Sequence, residues 1–343
     1  MSASPVLDIR NVSIAAIDSK GVATKMIVRG LDLTLHAGEM LALVGESGSG
    51  KSVSASAVLG LLPKELKITE GSISFNGVPV SSMAEKERRA LRGKRIGYIF
   101  QNYQGSFTPF MTVGKQMVEV IRAHERLSMK QAKETALAWL HKVKLPADRA
   151  FRSYPFQLSG GQLQRASLAA ALMLKPSLII ADEPTTALDV LTGEQVLDLL
   201  SELRKEAGCA VLLISHDLAH VFKRTDRMAV MYGGSVIESG STEKISRDPQ
   251  HPYTQLLLQA RPPLSGPLTE RLEVIPGEPG LVCLQGCPFS LRCPYASEHC
   301  SHTPAMANLN DDHAVACHER PAKGEPHVEY ASSGEPVKQV VYS

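Results

Sequence analysis

Residues Gly45–Ser52 read GESGSGKS, directly after the apolar run Leu41–Val44 (LALV) and at the head of the helix-patterned stretch Ser52–Leu62. A buried strand that turns on glycine into a helix is one unit of an open, parallel α/β sheet. The spacing G-x-x-x-x-G-K-[ST] at that junction predicts a phosphate cradle. Glycines 45, 48 and 50 permit positive φ and let backbone N–H groups point inward at oxygen. The helix adds its positive dipole end. Lys51 is long enough to reach β- and γ-phosphates, and the Ser52 hydroxyl suits Mg²⁺.

Upstream, Val6–Ile14, Met26–His36 and Met40–Val44 carry strand patterns. Downstream, the helix is expected to stop at Pro63, with strands at Gly71–Asn76 and Ile96–Phe100 and a charged helix between them at Ala84–Arg92. From Thr112 to Leu174 the pattern is helix after helix. Trp139, the single tryptophan, falls there on an apolar face and reads as core. Strand–helix alternation resumes with Ser177–Ala181, Gly193–Ala207, Ala210–Ser215 and Asp226–Tyr232.

Ser177–Pro184 (SLIIADEP) delivers two adjacent acids at the carboxyl end of an apolar strand, the edge where open α/β sheets gather ligands. Asp182 suits the Mg²⁺ shell through water. Glu183, one residue on, suits the attacking water as base or orienter. Leu158–Gln162 (LSGGQ) opens a helix with a serine and two glycines, a second anion-seeking terminus.

GESGSGKS, Gln101 after a strand (YIFQN), LSGGQ, IIADEP, the ALD at Ala187–Asp189 and His216 after AVLLIS follow the order and spacing of ABC ATPases. Residues 5–260 resemble that family. The resemblance implies an α/β fold: a RecA-like parallel sheet with an antiparallel β subdomain, an inserted α-helical subdomain at about 104–175, and a nucleotide-binding domain over 1–260. It also implies a head-to-tail dimer, each ATP lying between one subunit's phosphate loop and the other's LSGGQ. Gly45, Ser47, Gly48, Ser49, Gly50, Lys51 and Ser52 would then bind ATP. Ser159, Gly160, Gly161 and Asp189 would act across the dimer. Ser52, Gln101 and Asp182 would serve Mg²⁺, and Glu183, His216 and Gln101 catalysis. One departure concerns the base: no Phe, Tyr or Trp precedes Phe75, so an aliphatic contact from Val22 or its neighbours replaces the family's stacking aromatic.

Beyond Pro262 the chain is rich in Pro, Gly and Cys. HPYTQLLLQA (His251–Ala260), RLEVIPGEPG (271–280) and the cysteine run through HAVAC (313–317) resemble the C-terminal extension of the peptide/nickel importer branch. A small Cys-rich module at 261–322 and a disordered tail at 323–343 are expected. One cysteine, Cys209, reads as a core thiol. Cys287, Cys293, Cys300 and Cys317 supply four soft ligands for [4Fe–4S] or Zn²⁺, and the branch associates them with the cluster. No C-x2-C knuckle occurs, while His299, His302 and His318 leave a Cys₃His zinc site open. Cys283 lies outside the pattern.

The chain has 343 residues, about two domains' worth, with 43% hydrophobic and 21% charged residues, which excludes wholesale disorder. Lys plus Arg at 37 against Asp plus Glu at 35 leave a net charge of +2, which gives no electrostatic reason to expect nucleic acid. No apolar run approaches the roughly 18–20 residues of a membrane span, and the first residues lack signal-peptide character. The expected protein is an ATPase at the cytoplasmic face of the inner or plasma membrane. It would power a peptide-type importer with a second ATPase subunit, two permease subunits and an extracytoplasmic solute-binding protein. The competing class is a soluble ABC-type ATPase acting on nucleic acid, ribosomes or an enzyme complex; the tandem halves, coiled coils and basic arms usual there do not occur in the sequence. Peptides, nickel complexes and other small solutes all remain compatible cargo.

Overall fold

The structure is a computed structural model, and it describes residues 4–260, 275–310 and 312–319. The chain opens with β1 (Leu7–Ile17), β2 (Ala23–Leu35) and β3 (Met40–Val44), then α1 (Lys51–Val58). Next come β4 (Leu66–Phe75), β5 (Val78–Pro79), α2 (Glu85–Leu91) and β6 (Ile96–Ile99). Four helices follow without an intervening strand: α3 (Val113–His124), α4 (Met129–Lys142), α5 (Ala147–Arg152) and α6 (Gly160–Leu172). Alternation returns with β7 (Leu178–Asp182), α7 (Val190–Ala207), β8 (Ala210–Ser215), α8 (Leu218–Arg224) and β9 (Arg227–Tyr232). The described chain closes with β10 (Ser235–Ser241), α9 (Thr242–Arg247), α10 (Pro252–Gln259), β11 (Ala307–Asn310) and β12 (His313–Val315).

These strands form two sheets, one in the order β2-β1-β4-β5, the other β11-β12-β10-β9-β3-β8-β7-β6. The first is antiparallel. In the second, β9-β3-β8-β7-β6 run parallel and β10, β12 and β11 add antiparallel at one edge. Strand β3 is buried at all five positions because both its faces are covered. Leu41 and Leu43 pack with Ile14, Val28 and Phe75 of the antiparallel sheet, while Met40 joins the helical core around Trp139, Met117 and Ile121. Trp139 and Cys209 are buried, as their sequence context predicts.

Among the boundaries that differ from the sequence expectation, two have a local cause. Helix α1 ends at Val58, before Pro63 acts, because Gly60 adopts φ +62° and the N–H groups of Gly60 and Leu61 turn back onto Ala57 O and Ser56 O. Strand β4 begins at Leu66 rather than Gly71: Leu66 and Ile68 alternate with polar residues and pack half-buried against the core, in a half that is otherwise solvent-facing.

The described C-terminal residues are built onto the sheet. Strand β12 pairs with β10, Glu238 opposite Val315 and Gly240 opposite His313. Glu238 is fully buried and accepts from Gln250 N (2.7 Å), His251 N (3.0 Å) and His313 Nε2 (2.8 Å), so its carboxyl group is met by three donors on two segments. Cys287, Phe289 and Cys300 share a core with Tyr232 and Tyr253. The tail expected at 323–343 and much of the 261–280 stretch lie outside the described residues.

His251 caps α10 through Nδ1, which accepts from Tyr253 N at 3.0 Å, and burial pushes its pKa down to about 3. The unfolded chain takes up this proton near pH 6.5 and the folded chain does not, so the stability is complete above that pH and is lost as pH falls toward 3. His251→Asn keeps a cap acceptor without the titration. Its denaturation midpoints between pH 6.5 and 4.5 are expected to fall less steeply than the parent's, by up to about 1.4 kcal/mol per pH unit; parallel profiles would contradict this.

Candidate functional site

The parallel strands end at one edge, and the loops leaving them meet there. Ser47, Gly48, Gly50, Lys51, Ser52, Gln101, Glu183 and His216 line a single cleft with Ile27 and Val53. Gly45 lies at its base, where a Cβ would stand 2.1 Å from Met231 O, so no larger residue lets the loop approach β9. Lys51 is buried, and its ammonium donates to Gly45 O (2.8 Å), Glu46 O (2.9 Å) and Ser49 Oγ (3.3 Å), using all three N–H bonds on the loop itself. Burial lowers its pKa, opposed by the Glu183, Asp182 and Glu46 carboxylates.

Ser52 Oγ donates to Asp182 Oδ1 at 3.0 Å, and Tyr98 Oη donates to Asp182 Oδ2 at 2.8 Å. Burial raises the Asp182 pKa; the Tyr98 and Ser52 hydroxyls and Lys51 hold it back, while Glu183 adds to the rise. A serine hydroxyl beside a carboxylate is the hard-oxygen donor set that Mg²⁺ takes, and these residues fit that ion.

Glu183 sits at φ +46°, a left-handed conformation that costs a non-glycine residue on the order of 1–3 kcal/mol. Its N–H bonds to Ile214 O at 2.9 Å. Its Oε2 accepts from Gln101 Nε2 (3.0 Å) and Thr186 Oγ1 (2.9 Å) and lies 3.3 Å from His216 Nδ1. The three residues expected to share the chemistry therefore converge on one carboxylate oxygen.

Ser159, Gly160, Gly161 and Asp189 are not among the residues lining this cleft. Ser159 caps α6, its Oγ accepting from Gln162 N, and Asp189 caps α7, accepting from Thr192 N at 3.0 Å, which lowers its pKa. A Cβ on Gly161 would meet Thr192 Cγ2 at 2.4 Å, so the heads of α6 and α7 are packed on each other. Val22, offered as a contact for the base, is exposed and also off the cleft, whereas Ile27 lines it.

Tyr98 and Thr186 were not singled out by sequence. Tyr98 pairs in register with Ile180, two residues before Asp182, a relation that exists only once β6 and β7 are known to be neighbours. Thr186 lies three residues after Glu183 in a turn, Thr186 N bonding to Glu183 O, and that spacing is the signal that could have found it.

All six cysteines are free. Cys287, Cys293, Cys300 and Cys317 are close enough to interact electrostatically, and burial pushes the Cys293 and Cys317 thiols up to about 12. Their chemistry suits a soft metal centre. Among the described residues no group of three or more His, Cys, Asp or Glu side chains is drawn together into a metal-holding set.

Comparison with known proteins gives a consistent result. The ABC transporter family matches residues 28–186, and the oligopeptide/dipeptide transporter C-terminal region matches residues 237–300. The oligopeptide transport ATP-binding protein OppD of Salmonella typhimurium is 40% identical over 92% of this chain and 94% of its own. OppD of Bacillus subtilis is 42% identical over 84% of this chain and 82% of its own. Among solved structures, the ATP-binding cassette MJ0796, dimeric and bound to ADP and Pi, is 28% identical and superposes with a TM-score of 0.60 over 69% of this chain and 98% of that one. Clostridium perfringens cbiO1, part of the ABC transporter complex cbiONQ, is 26% identical, with a TM-score of 0.61 over 71% of this chain and 91% of that one.

Removing the Tyr98 donor should let the Asp182 pKa rise further. Tyr98→Phe is expected to move the acid limb of Mg²⁺-dependent nucleotide turnover up by about one pH unit, the equivalent of one hydrogen bond to a charged group. A lower rate with an unmoved acid limb would contradict this placement of Tyr98.

Proposed function

We propose a function from one premise: this chain belongs to the ABC transporter family and carries the C-terminal region of its oligopeptide/dipeptide branch. It is an ATP-hydrolysing, ATP-binding subunit of a peptide importer. The observation that carries the site assignment is the convergence of Lys51, Ser52, Gln101, Glu183 and His216 on one cleft.

In this reading ATP phosphates take the loop N–H groups, and Lys51 turns from the loop carbonyls to the β- and γ-phosphates. Ser47, Gly48, Ser49 and Gly50 complete the cradle. Ser52, with Asp182 behind it and Gln101 beside it, holds Mg²⁺, which when bound neutralises phosphate charge. Glu183 orients the attacking water and accepts its proton, held in place by Gln101 and Thr186, and His216 reaches the γ-phosphate. Ser159, Gly160, Gly161 and Asp189 close over the nucleotide of a facing ATPase subunit. Their position away from their own cleft supports that role.

The partners follow from the same reading: a second ATPase subunit, two permease subunits and an extracytoplasmic solute-binding protein. A groove lined by Leu61, Tyr98, Phe100, Phe107, Met117 and Val120 lies beside Gln101, between the sheet and the helices, and suits an apolar permease segment. No helix among the described residues is long and apolar enough to cross a membrane, in keeping with a peripheral subunit at the cytoplasmic face. We read 1–260 as the nucleotide-binding domain, with the helical subdomain at about 104–175, and 261–322 as the C-terminal Cys-rich module. For Cys287, Cys293, Cys300 and Cys317 we propose a [4Fe–4S] centre, Zn²⁺ being the alternative, on the chemistry of the four thiols alone.

Two experiments test this. Glu183→Gln should bind ATP with near-parental affinity, lose at least about a hundredfold in turnover, and run as a nucleotide-bound dimer on gel filtration; normal hydrolysis would remove Glu183 from its role. Anaerobically purified protein should contain iron and acid-labile sulfide that Cys293→Ser loses, and stoichiometric zinc without iron would reject the cluster.

A further inference from the structure

Glu46, inside the phosphate loop, is held by a residue almost 250 positions away. Arg292 Nη1 donates to Glu46 Oε2 at 2.8 Å and Nη2 to Oε1 at 3.1 Å, a two-pronged pair. The Arg292 side chain is 1% exposed and that of Glu46 18%. Arg292 is fixed from behind as well, Nε donating to Pro276 O (2.6 Å) and Nη1 to Tyr232 Oη (3.2 Å). The Glu46 N–H bonds to Tyr253 Oη at 2.9 Å, and the Glu46 carbonyl accepts from Lys51 Nζ. One loop residue thus ties the phosphate-binding lysine, through its backbone, to the C-terminal segment, through its side chain.

From this geometry we infer that Arg292 is a positioning residue for ATP binding: it fixes the phosphate loop through Glu46, so that the C-terminal segment sets the loop's readiness for nucleotide. The inference rests on the reading of the cleft as the ATP site. A cradle of backbone N–H groups binds in proportion to the fraction of time it is correctly formed. A buried guanidinium that fills both prongs of its fork restrains the loop more than a solvent-exposed pair does. Neither Arg292 nor Glu46 lines the cleft, so both act through the loop's shape.

The test is a double-mutant cycle in the full-length chain, read as equilibrium affinity for a fluorescent ATP analogue and as the split between KM for ATP and kcat. Arg292→Gln is expected to weaken nucleotide binding about tenfold and to raise KM in step, while kcat at saturating ATP stays within about twofold. Arg292→Lys, which keeps the charge but loses the fork, should fall between it and the parent. Glu46→Gln should weaken binding about threefold or more, and it carries the test alone if Arg292→Gln does not fold. The double variant should bind no more weakly than the weaker single one, because both changes remove one interaction. Single variants with parental or improved ATP affinity, or losses that multiply in the double variant, would overturn the inference. If the parent binds ATP and the variants match it, this inference alone falls; a parent that binds no ATP overturns the reading of the cleft as well.

Discussion

The hydrogen bond from Ser52 Oγ to Asp182 Oδ1 joins the head of α1 to the end of β7, elements 130 residues apart in sequence. It exists because β3, β8 and β7 are parallel neighbours, so that Val44 lies opposite Ser215 and Asp182 opposite Ile214. Parallel order brings the carboxyl ends of these strands to one edge, and every chemical group of the cleft leaves the sheet there. The sheet keeps that order by burying both faces, with helices on one side and the antiparallel sheet on the other.

On that edge, polarity and strain are concentrated where the chemistry is. Asp182 is buried with its pKa raised, Lys51 is buried with its pKa lowered, and Glu183 holds a left-handed backbone. Burial disfavours both charged forms, and the opposite charges restore part of the loss. The lysine's three N–H bonds are met by its own loop, at Gly45 O, Glu46 O and Ser49 Oγ. The C-terminal residues join the same scheme: Glu238 anchors β12 to the sheet, and Arg292 reaches the phosphate loop itself.

Much of this was legible in the sequence. The run LALV-GESGSGKS gives strand, cradle and helix in order because a buried strand must be apolar and a cradle must be glycine-rich. Asp182 and Glu183 were readable for the same reason, an apolar strand ending in two acids. What escaped depended on neighbours across space. Tyr98 matters because β6 lies beside β7, and Glu46 because Arg292 folds back to it, and neither relation leaves a local pattern. The first half of β4 was missed since its alternation, Leu66 and Ile68, is short and breaks at the run 69–72, and the end of α1 was misjudged since a left-handed glycine stops a helix before proline can. The cysteines mark the opposite limit: their spacing was readable at once, yet the described geometry does not gather them into a ligand set.

The account turns on a site completed by two chains. Ser159 is exposed and caps α6, so Ser159→Asp keeps a cap acceptor while placing a negative charge where the facing γ-phosphate would lie. Its direct test is to mix this variant with Lys51→Ala and follow ATP turnover. Each variant should be inactive alone, and the mixture should recover activity, because a mixed dimer has one site with an intact cradle facing an intact signature. A Ser159→Asp chain that turns over ATP alone at the parental rate would contradict the account.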